Sequence, residues 1–401
     1  MKPLENIRVL DFTRVLAGPT CTRILAELGA QVTKVEPPSG DIGRMAAPQI
    51  QGQSAYYLQL NGGKRNLSID LNWPEAREAA LKLCHKTDVI VENFRPGTMK
   101  TFGLDYESVR EQNPAVVYVS MSGFGQNTPW STRPAFAPTV QAESGATQTQ
   151  MDHFGDDLLQ PVTDWASHAD VYTGLEGAIA VLAGLNKRNA TGTGLHGDVS
   201  MMATMLAVNE RLHAQINELD AADEPLALGA PESPIFKVAD GSFVTIAASP
   251  ISSGVFMRYC GMMGRNDLRT DSRFATPELR RKNLKPLLDE VQNWMRSFRS
   301  FEELEYQVSS AGGLAVGKVR TAADLLKTDW AESADPTYTS LVGEHEIRLP
   351  KGPWLFNGKD TGALSTAALR GANNREVLSE AGFDDATLRA WEDAGILSSD
   401  L

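Results

Sequence analysis

The sequence contains little cysteine and none of the common catalytic or metal-binding motifs. Three cysteines, Cys21, Cys84 and Cys260, are widely separated in 401 residues. No CxxC pair, HExxH, GxSxG or Walker loop occurs. These absences argue against a disulfide framework, a structural zinc site, and the usual hydrolase and kinase classes. We therefore expect no metal site and a reducing compartment.

Long hydrophobic runs and an excess of positive charge are also lacking. The apolar stretch at 177–185 is too short to span a bilayer, and residues 1–7 contain no signal-peptide core. The chain has 38 Lys and Arg against 50 Asp and Glu, a formal net charge of −12. This charge disfavours nucleic acid and anionic membranes as partners, although a local basic pocket would still bind a small anion. We expect a cytoplasmic protein that acts on small molecules.

The first 120 residues alternate between strand and helix patterns. Strands are predicted at 7–12, 31–36, 89–92 and 116–121, and helices at 20–28, 75–85 and 106–113. A strand, a helix and a second strand within thirty residues form a βαβ unit, which is typical of a parallel sheet. We predict an α/β fold whose large domain is a doubly wound parallel sheet.

The middle of the chain predicts a loop followed by a long helix. Residues 122–170 are rich in Gly, Thr, Pro and Gln, which is typical of a functional loop. Thr173 and Glu176 fit a capping box and predict a helix that begins at Thr173. Its many Gly and Ala residues would let a neighbouring backbone approach closely. A further helix is predicted at 198–208.

The second half of the chain predicts a smaller domain and a returning tail. Asp240-Gly241 lies between two β-branched runs and predicts a hairpin at 235–248. Helices are predicted at 252–263, 277–298, 301–311, 374–382 and 386–394. We predict a large α/β domain formed by 1–205 with 325–401, a linker at 206–224, and a small α+β domain at 225–324.

The βαβ start also suggests a dinucleotide site, with Glu36 as the ribose ligand. The segment after the first strand, 14–20, contains one glycine, and Pro19 stands where a pyrophosphate needs bare backbone. We therefore disfavour this reading and expect Glu36 at the surface or between subunits.

Three other features could carry chemistry. The loops 61–66 and 93–97 combine Gly with Lys or Arg and would suit phosphates, although each alone is also typical of a solvated turn. Asp170 precedes the predicted helix, whose N-terminus stabilises an anion by roughly 0.3–1 kcal/mol. An ionised aspartate can act as a nucleophile, but an aspartate that merely helps the helix start fits the spacing as well.

Several longer motifs, in the same order along the chain, resemble a known family. They are LDFTRVLAGPTCTRILAELGAQVTKVEPPSGD, NGGKRNLSIDL, TDVIVENFRPGT, YVSMSGFGQ, ADVYTGLEGAIAVLAGLNKR, TGTGLHGDVSM and VGKVRTAADLL. The sequence thus resembles the class III CoA-transferases over nearly all of 1–205 and more weakly over 230–401. The resemblance implies a large doubly wound domain built from both chain ends, a small domain, and an interlocked homodimer.

The resemblance also implies a chemistry and a set of site residues. Asp170 falls on the family's catalytic aspartate, which forms covalent intermediates with an acyl-CoA substrate, without a tightly bound cofactor. Backbone N–H groups near Ala17 and Gly18 would stabilise an oxyanion. The residues implied to bind CoA are Lys64, Arg65, Asn93, Phe94 and Arg95, with Arg44, Lys100, Leu16 and Ala17 in addition.

Departures from the family pattern narrow the function. Leu16 and Ala137 replace a glutamine and a carboxylate of other transferases, which argues against oxalate and formyl substrates. Phe136 occupies the position where the racemase branch has a proton-carrying histidine, and a phenyl ring cannot transfer protons. We favour a CoA-transferase over a 2-methylacyl-CoA racemase, unless His153 or His168 supplies the missing base. A non-catalytic CoA-binding protein is the third alternative.

Overall fold

The structure is a computed structural model that describes residues 2–148, 166–209, 216–217 and 235–400. Its internal contacts define two compact units, which are described separately. The first unit combines Met1–Glu210 with Asp335–Leu401, and the second is Arg211–Ala334. Most of the predicted linker at 206–224 lies outside the described residues. The domain boundaries given above remain a prediction.

A six-stranded sheet forms the centre of the first unit. Its strands are β1 (Arg8–Asp11), β2 (Gln31–Glu36), β3 (Arg65–Ser68), β4 (Val89–Glu92), β5 (Val117–Ser122) and β6 (Leu195–Ser200). All neighbouring strands pair in parallel, in the order β3-β2-β1-β4-β5-β6. This strand order is that of a doubly wound dinucleotide-binding sheet, in which ligands bind beyond the carboxyl ends of the strands. The predicted mixed α/β fold with a parallel sheet is confirmed.

Helices cover both faces of the sheet because successive strand side chains point to opposite sides. Val9 and Val89 pack on one face with the helices Ala17–Glu27 and His168–Thr191. Leu10 packs on the other face. That second face is covered by the helices Pro74–His85, Asn374–Glu380 and Asp385–Asp393.

The remaining elements of the first unit are short. Its other helices are Ala55–Asn61, Thr98–Thr101, Tyr106–Arg110, Ala137–Glu143 and Met201–Val208, with a 3-10 turn at Ile42–Met45. Antiparallel strand pairs occur at Gln49–Ile50 with Gln53–Ser54, Thr337–Val342 with His345–Pro350, and Leu355–Phe356 with Lys359–Asp360. Among the described residues, no helix combines the length and the apolar character needed to cross a membrane.

Three local predictions about the first unit are wrong. The long helix begins at His168, not at Thr173, whose hydroxyl donates to the Ala169 carbonyl oxygen within the helix (2.6 Å). The chain at 195–200 is the edge strand β6, and the helix predicted from 198 begins at Met201. Glu36 is fully buried, and Arg44, Tyr57 and other polar groups donate hydrogen bonds to its carboxylate.

The second unit contains a three-stranded antiparallel sheet and surrounding helices. Its strands are Ile235–Lys237, Phe243–Ile246 and Val316–Lys318, and the first two form the predicted hairpin. The helix predicted at 277–298 is divided at Asn283. The helices and turns are Ser253–Met262, Asn266–Thr270, Pro277–Lys282, Leu284–Met295, Phe301–Glu305, the π-helical turn Tyr306–Ala311, Ala322–Leu325 and Asp329–Ala334.

Candidate active site

A cavity of about 350 Å³ lies at the carboxyl edge of the large sheet. It forms where the segments that follow β1, β4 and β5 meet the start of the long helix. Its wall includes Arg14, Ala17, Asn93, Phe94, Arg95, Phe136 and Asp170. The cavity therefore brings the predicted nucleophile together with four of the predicted CoA-binding residues at the edge where such sheets bind ligands.

The amino ends of three helices meet at Asp170. Asp170 itself lies in the first turn of His168–Thr191. The backbone N–H groups of Ala17 and Ala137 face its carboxylate and stabilise its charged form. Each of these two alanines is the first residue of its own helix. The amino end of a helix carries partial positive charge and free N–H groups, so this arrangement favours a negative charge on Asp170.

Burial opposes this effect of the helix ends, because it disfavours a negative charge on Asp170. Desolvation disfavours the charged form and raises the pKa of the carboxyl to about 6, although the two N–H groups lower it. The group is therefore mostly ionised at neutral pH. It is also more basic than an exposed aspartate, which is the property that a carboxylate nucleophile requires.

Glycine in the long helix allows the site to assemble. A Cβ atom on Gly174 would lie 2.6 Å from the carbonyl oxygen of Ala17, closer than any side chain allows. The helix Ala17–Glu27 can therefore pack directly against the long helix, and its first N–H group reaches Asp170. The prediction that the small residues permit a close backbone approach is confirmed.

The segment between β1 and the first helix has an unusual backbone conformation. Val15 has a φ of 66°, a left-handed value that costs a β-branched residue about 1–2 kcal/mol. Its N–H group donates to both carboxylate oxygens of Asp41, at 3.1 and 3.3 Å. Asn93 bonds both backbone groups of Arg14, accepting from the N–H (2.8 Å) and donating to the carbonyl oxygen (2.9 Å). Sequence reasoning missed this strained residue, because a propensity pattern does not reveal strain.

Arg14 is a cavity residue that was not among the predicted ones. Its guanidinium lies over the Phe94 ring, 4.9 Å from the ring centre, and its Nε is buried without a hydrogen-bond partner. Burial lowers the pKa of this guanidinium, partly offset by Asp41 and Glu36. A half-buried cation whose Nε has no partner suits an anionic ligand. Its place in the RVLAGP motif was the available signal.

Lys64 lies in the protein interior instead of the cavity wall. The residue is 4% exposed, and its ammonium binds Asp11 (3.1 Å) and the Thr22 hydroxyl (2.7 Å). Burial lowers the pKa of Lys64 to about 8, although the charge of Asp11 raises it. These contacts hold the ammonium in a buried ion pair beneath the first helix, so the predicted phosphate contact would require it to exchange partners.

The other predicted CoA-binding residues also lie outside the wall of this cavity. Arg65 pairs with Glu376 and Glu380 at the protein surface. Arg44 forms two hydrogen bonds with the buried Glu36 carboxylate, at 2.8 and 2.9 Å. Leu16 precedes the first helix without lining the cavity. Lys100 lines a neighbouring cavity of about 330 Å³, to which Arg95 also contributes.

The opposite wall carries Phe136 and a fixed arginine. Arg133 lies 4.4 Å from the ring centre of Trp130 and 4.9 Å from that of Phe124, and it bonds Glu143 at 2.5 Å. Among the cavity residues that the structure describes, none is a histidine. The His168 ring stacks on Tyr172 instead. His153, the other alternative base, lies outside the described residues.

The fold and the cavity define a doubly wound α/β protein with a partly buried aspartate at its ligand edge. The sequence model of CoA-transferase family III matches residues 4–374, and the chain belongs to this family. It is 31% identical to the succinyl-CoA:mesaconate CoA-transferase of Haloarcula hispanica, over 98% of this chain and 100% of that protein. It is 29% identical to the succinyl-CoA–D-citramalate CoA-transferase of Chloroflexus aurantiacus, over 94% of each.

A solved structure has the same fold. The crystal structure of Rv3272 from Mycobacterium tuberculosis superposes with a TM-score of 0.79 and 28% sequence identity. The match covers 94% of this chain and 99% of that one. The predicted family and enzyme class are thereby confirmed.

Proposed function

We propose that this enzyme transfers CoA from an acyl-CoA thioester to a carboxylic acid through covalent intermediates on Asp170. The observation that carries the proposal is a partly buried carboxylate in a cavity wall, whose charged form two backbone N–H groups stabilise. Burial limits access of water, which would otherwise hydrolyse an acyl anhydride. The substrates are a CoA ester and a free acid, and no tightly bound cofactor takes part.

The proposed reaction begins when an Asp170 oxygen attacks the thioester carbonyl. The carbon–sulfur bond breaks, CoA leaves as a thiolate, and a mixed anhydride remains. The thiolate then attacks the Asp170 carbonyl carbon of the anhydride, which releases the donor acid and leaves an aspartyl-CoA thioester. The acceptor carboxylate attacks that thioester, which breaks the carbon–sulfur bond, releases the CoA thiolate again and leaves an anhydride between the acceptor and Asp170. The thiolate finally attacks the acceptor carbonyl carbon of this anhydride and displaces the Asp170 carboxylate. These last two steps form acceptor-CoA and restore the Asp170 carboxylate.

The N–H groups of Ala17 and Ala137 have a direct role in this scheme. Two of the four attacks occur at the carbonyl carbon of Asp170 itself, so negative charge develops on an Asp170 oxygen. The two N–H groups already stabilise the charged Asp170 carboxylate in the free enzyme. We propose that they form the oxyanion hole for these two steps, in which one preorganised donor contributes about 10²–10³-fold in rate.

The cavity further supports a dicarboxylic acid as donor, acceptor or both. Arg14, Arg95 and Arg133 line it, and among the lining residues that the structure describes, Asp170 is the only carboxylate. The resemblance implies Arg95 for CoA, and Arg14 lies over Phe94, which is also implied for CoA. This leaves Arg133 for a distal carboxylate. The two relatives above are named for succinyl, mesaconate and citramalate, and each of these acids carries two carboxyl groups.

Arg133→Gln tests the dicarboxylate proposal. We expect a roughly 10–100-fold lower kcat/KM for succinate as CoA acceptor, and little change for butyrate, which lacks the second carboxylate. Arg375→Gln is the matched control, because the Arg375–Glu392 pair has the same 2.5 Å separation and similar exposure. Equal losses with both acceptors would contradict the role of Arg133.

Asp170→Ala tests the covalent mechanism. The variant should bind CoA but transfer none. Wild-type protein quenched with hydroxylamine during turnover should carry a hydroxamate on the peptide that contains Asp170. A fully active alanine variant would refute the scheme.

The racemase alternative predicts deuterium exchange at the α-carbon of a 2-methylacyl-CoA without acceptor acid. This alternative is disfavoured because none of the described cavity residues is a histidine. The third alternative, a non-catalytic CoA-binding protein, predicts no transfer by the wild type.

We also propose that the protein is a cytoplasmic, interlocked homodimer with no nucleic-acid or membrane partner. Leu175, Ile179 and Leu182 lie on one face of the long helix and are exposed in the single chain, Ile179 by 57%. An apolar face of this kind is typical of a surface that another chain covers. Sedimentation at nanomolar concentration should give twice the chain mass, and a stable active monomer would contradict the proposal.

A further inference from the structure

Side chains, not neighbouring backbone, fix the segment 13–15 beside the cavity. The Asp11 carboxylate accepts from the Thr13 N–H (2.9 Å), and the Lys34 ammonium donates to the Thr13 carbonyl oxygen (2.7 Å). Asn93 bonds both backbone groups of Arg14. Four backbone polar groups of this segment are thus bonded to side chains, namely those of Asp11, Lys34 and Asn93.

Asp41 binds a further backbone group of this segment, the N–H of the left-handed Val15. Its carboxylate accepts the Val15 N–H and forms an ion pair with Lys34, with 3.0 Å between Nζ and Oδ2. Asp41 is 2% and Lys34 1% exposed, so the pair is held away from water. The backbone N–H of Asp41 donates to the Glu36 carboxylate at 3.0 Å. A buried pair with such complete contacts can hold a backbone conformation that valine alone would not adopt.

The conformation of Val15 decides where the first helix begins. Ala17 follows two residues later as the first residue of the helix, and it lines the same cavity as Asp170. Its N–H group faces the Asp170 carboxylate and stabilises the charged form. If Val15 rotated to its ordinary negative φ, the chain direction would change and this N–H group would leave Asp170.

We infer that the buried Lys34–Asp41 pair is a positioning device for catalysis, which holds Val15 left-handed so that the Ala17 N–H stays aimed at Asp170. The inference rests on the proposed aspartyl mechanism, because the N–H matters most when charge develops on the Asp170 oxygen. Neither Lys34 nor Asp41 touches the reacting atoms, so both act through the backbone.

The test removes the pair and then restores the backbone conformation by another route. Lys34→Met/Asp41→Ala removes both charges together, so no unpaired charge is left buried. We expect it to form the Asp170 intermediate about 10–100-fold more slowly, as expected for a misaligned oxyanion donor. Adding Val15→Gly should recover at least several-fold of this loss, because glycine adopts a positive φ without steric cost. The recovery is measured relative to Val15→Gly alone, because Val15 also lines the cavity.

The readout is a single turnover with whichever of acetyl-CoA, succinyl-CoA or glutaryl-CoA the wild type uses fastest. Hydroxylamine trapping and mass spectrometry give the rate of intermediate formation at Asp170, and CoA affinity is measured separately. A merely structural role predicts that Val15→Gly, which adds chain flexibility, gives no recovery. That result, or a folded pair-deleted variant with the wild-type rate, would overturn the inference.

Two controls keep the outcomes separate. If the pair-deleted protein does not fold, Asp41→Asn with and without Val15→Gly is judged by the same criterion, since asparagine keeps the size of the side chain. Wild-type turnover without any Asp170 hydroxamate would refute the proposed function itself. A trapped wild-type intermediate with no rescue by glycine would refute only the positioning role.

Discussion

Replacing Asp170 with asparagine should stabilise the folded protein increasingly as the pH rises. Burial raises the pKa of this carboxyl to about 6 in the folded protein, against 3.8 for an ordinary aspartate. The folded state therefore retains a proton that the unfolded state has lost between these two values. Wild-type stability falls as the pH rises through this window, and a neutral asparagine removes the effect.

The magnitude follows from the two pKa values. A gap of about two pKa units corresponds to roughly 3 kcal/mol over the whole window, at about 1.36 kcal/mol per unit. About half of it, roughly 1.4 kcal/mol, falls between pH 5 and pH 8. Asparagine also changes the contacts with the N–H groups of Ala17 and Ala137, but that change does not depend on pH. The difference between the two pH values therefore isolates the contribution of the charge.

Urea denaturation of both proteins at pH 5 and pH 8 provides the measurement. The free energy of unfolding of Asp170→Asn, minus that of the wild type, should be about 1.4 kcal/mol larger at pH 8 than at pH 5. The same variant should be inactive in CoA transfer, so stability and activity would move in opposite directions. A difference that stays constant with pH would refute the argument that burial raises the pKa of Asp170.

Three further predictions concern the same region. The kcat/KM should fall below about pH 6, because protonation of Asp170 removes the nucleophile, and a rate profile from pH 5 to 8 measures it. Lys64→Met should lower the free energy of unfolding by roughly 3–5 kcal/mol in urea denaturation, because the buried Asp11 carboxylate loses its ion-pair partner. An unchanged stability with a raised KM for the CoA ester would instead support direct phosphate binding. Gly174→Ala should lower both stability and rate, whereas Gly254→Ala, where a methyl group meets open space, should change neither.

The order and type of the core elements could be predicted because the residue pattern is local. Strands β2 and β4 match their predicted ranges, since buried β-branched runs bounded by turn residues have few alternatives. The start of the long helix could not be predicted correctly. Thr173 and Glu176 satisfy the capping pattern, yet contacts with Ala17 and neighbouring helices extend the helix back to His168. Tertiary packing overrides a local signal of that kind.

The candidate site was only partly predictable. The resemblance identified Asp170, Asn93, Phe94 and Arg95, which lie around one cavity. It also suggested Lys64, whose burial in an ion pair depends on chain segments far apart in sequence and has no local signature. A basic residue beside glycines fits a phosphate loop and a buried salt bridge equally well, because only the fold decides which charges are desolvated.

Two opposing influences on Asp170 explain why one carboxylate can serve both as nucleophile and as acyl carrier. Full exposure would leave its pKa near 3.8, with weaker basicity and with water free to hydrolyse the anhydride. Burial without hydrogen bonds would raise the pKa further and leave the group protonated at neutral pH. The N–H groups of Ala17 and Ala137 limit that rise to a pKa of about 6. A nucleophile is most effective when its pKa lies just below the working pH, because it is then ionised and still as basic as ionisation permits.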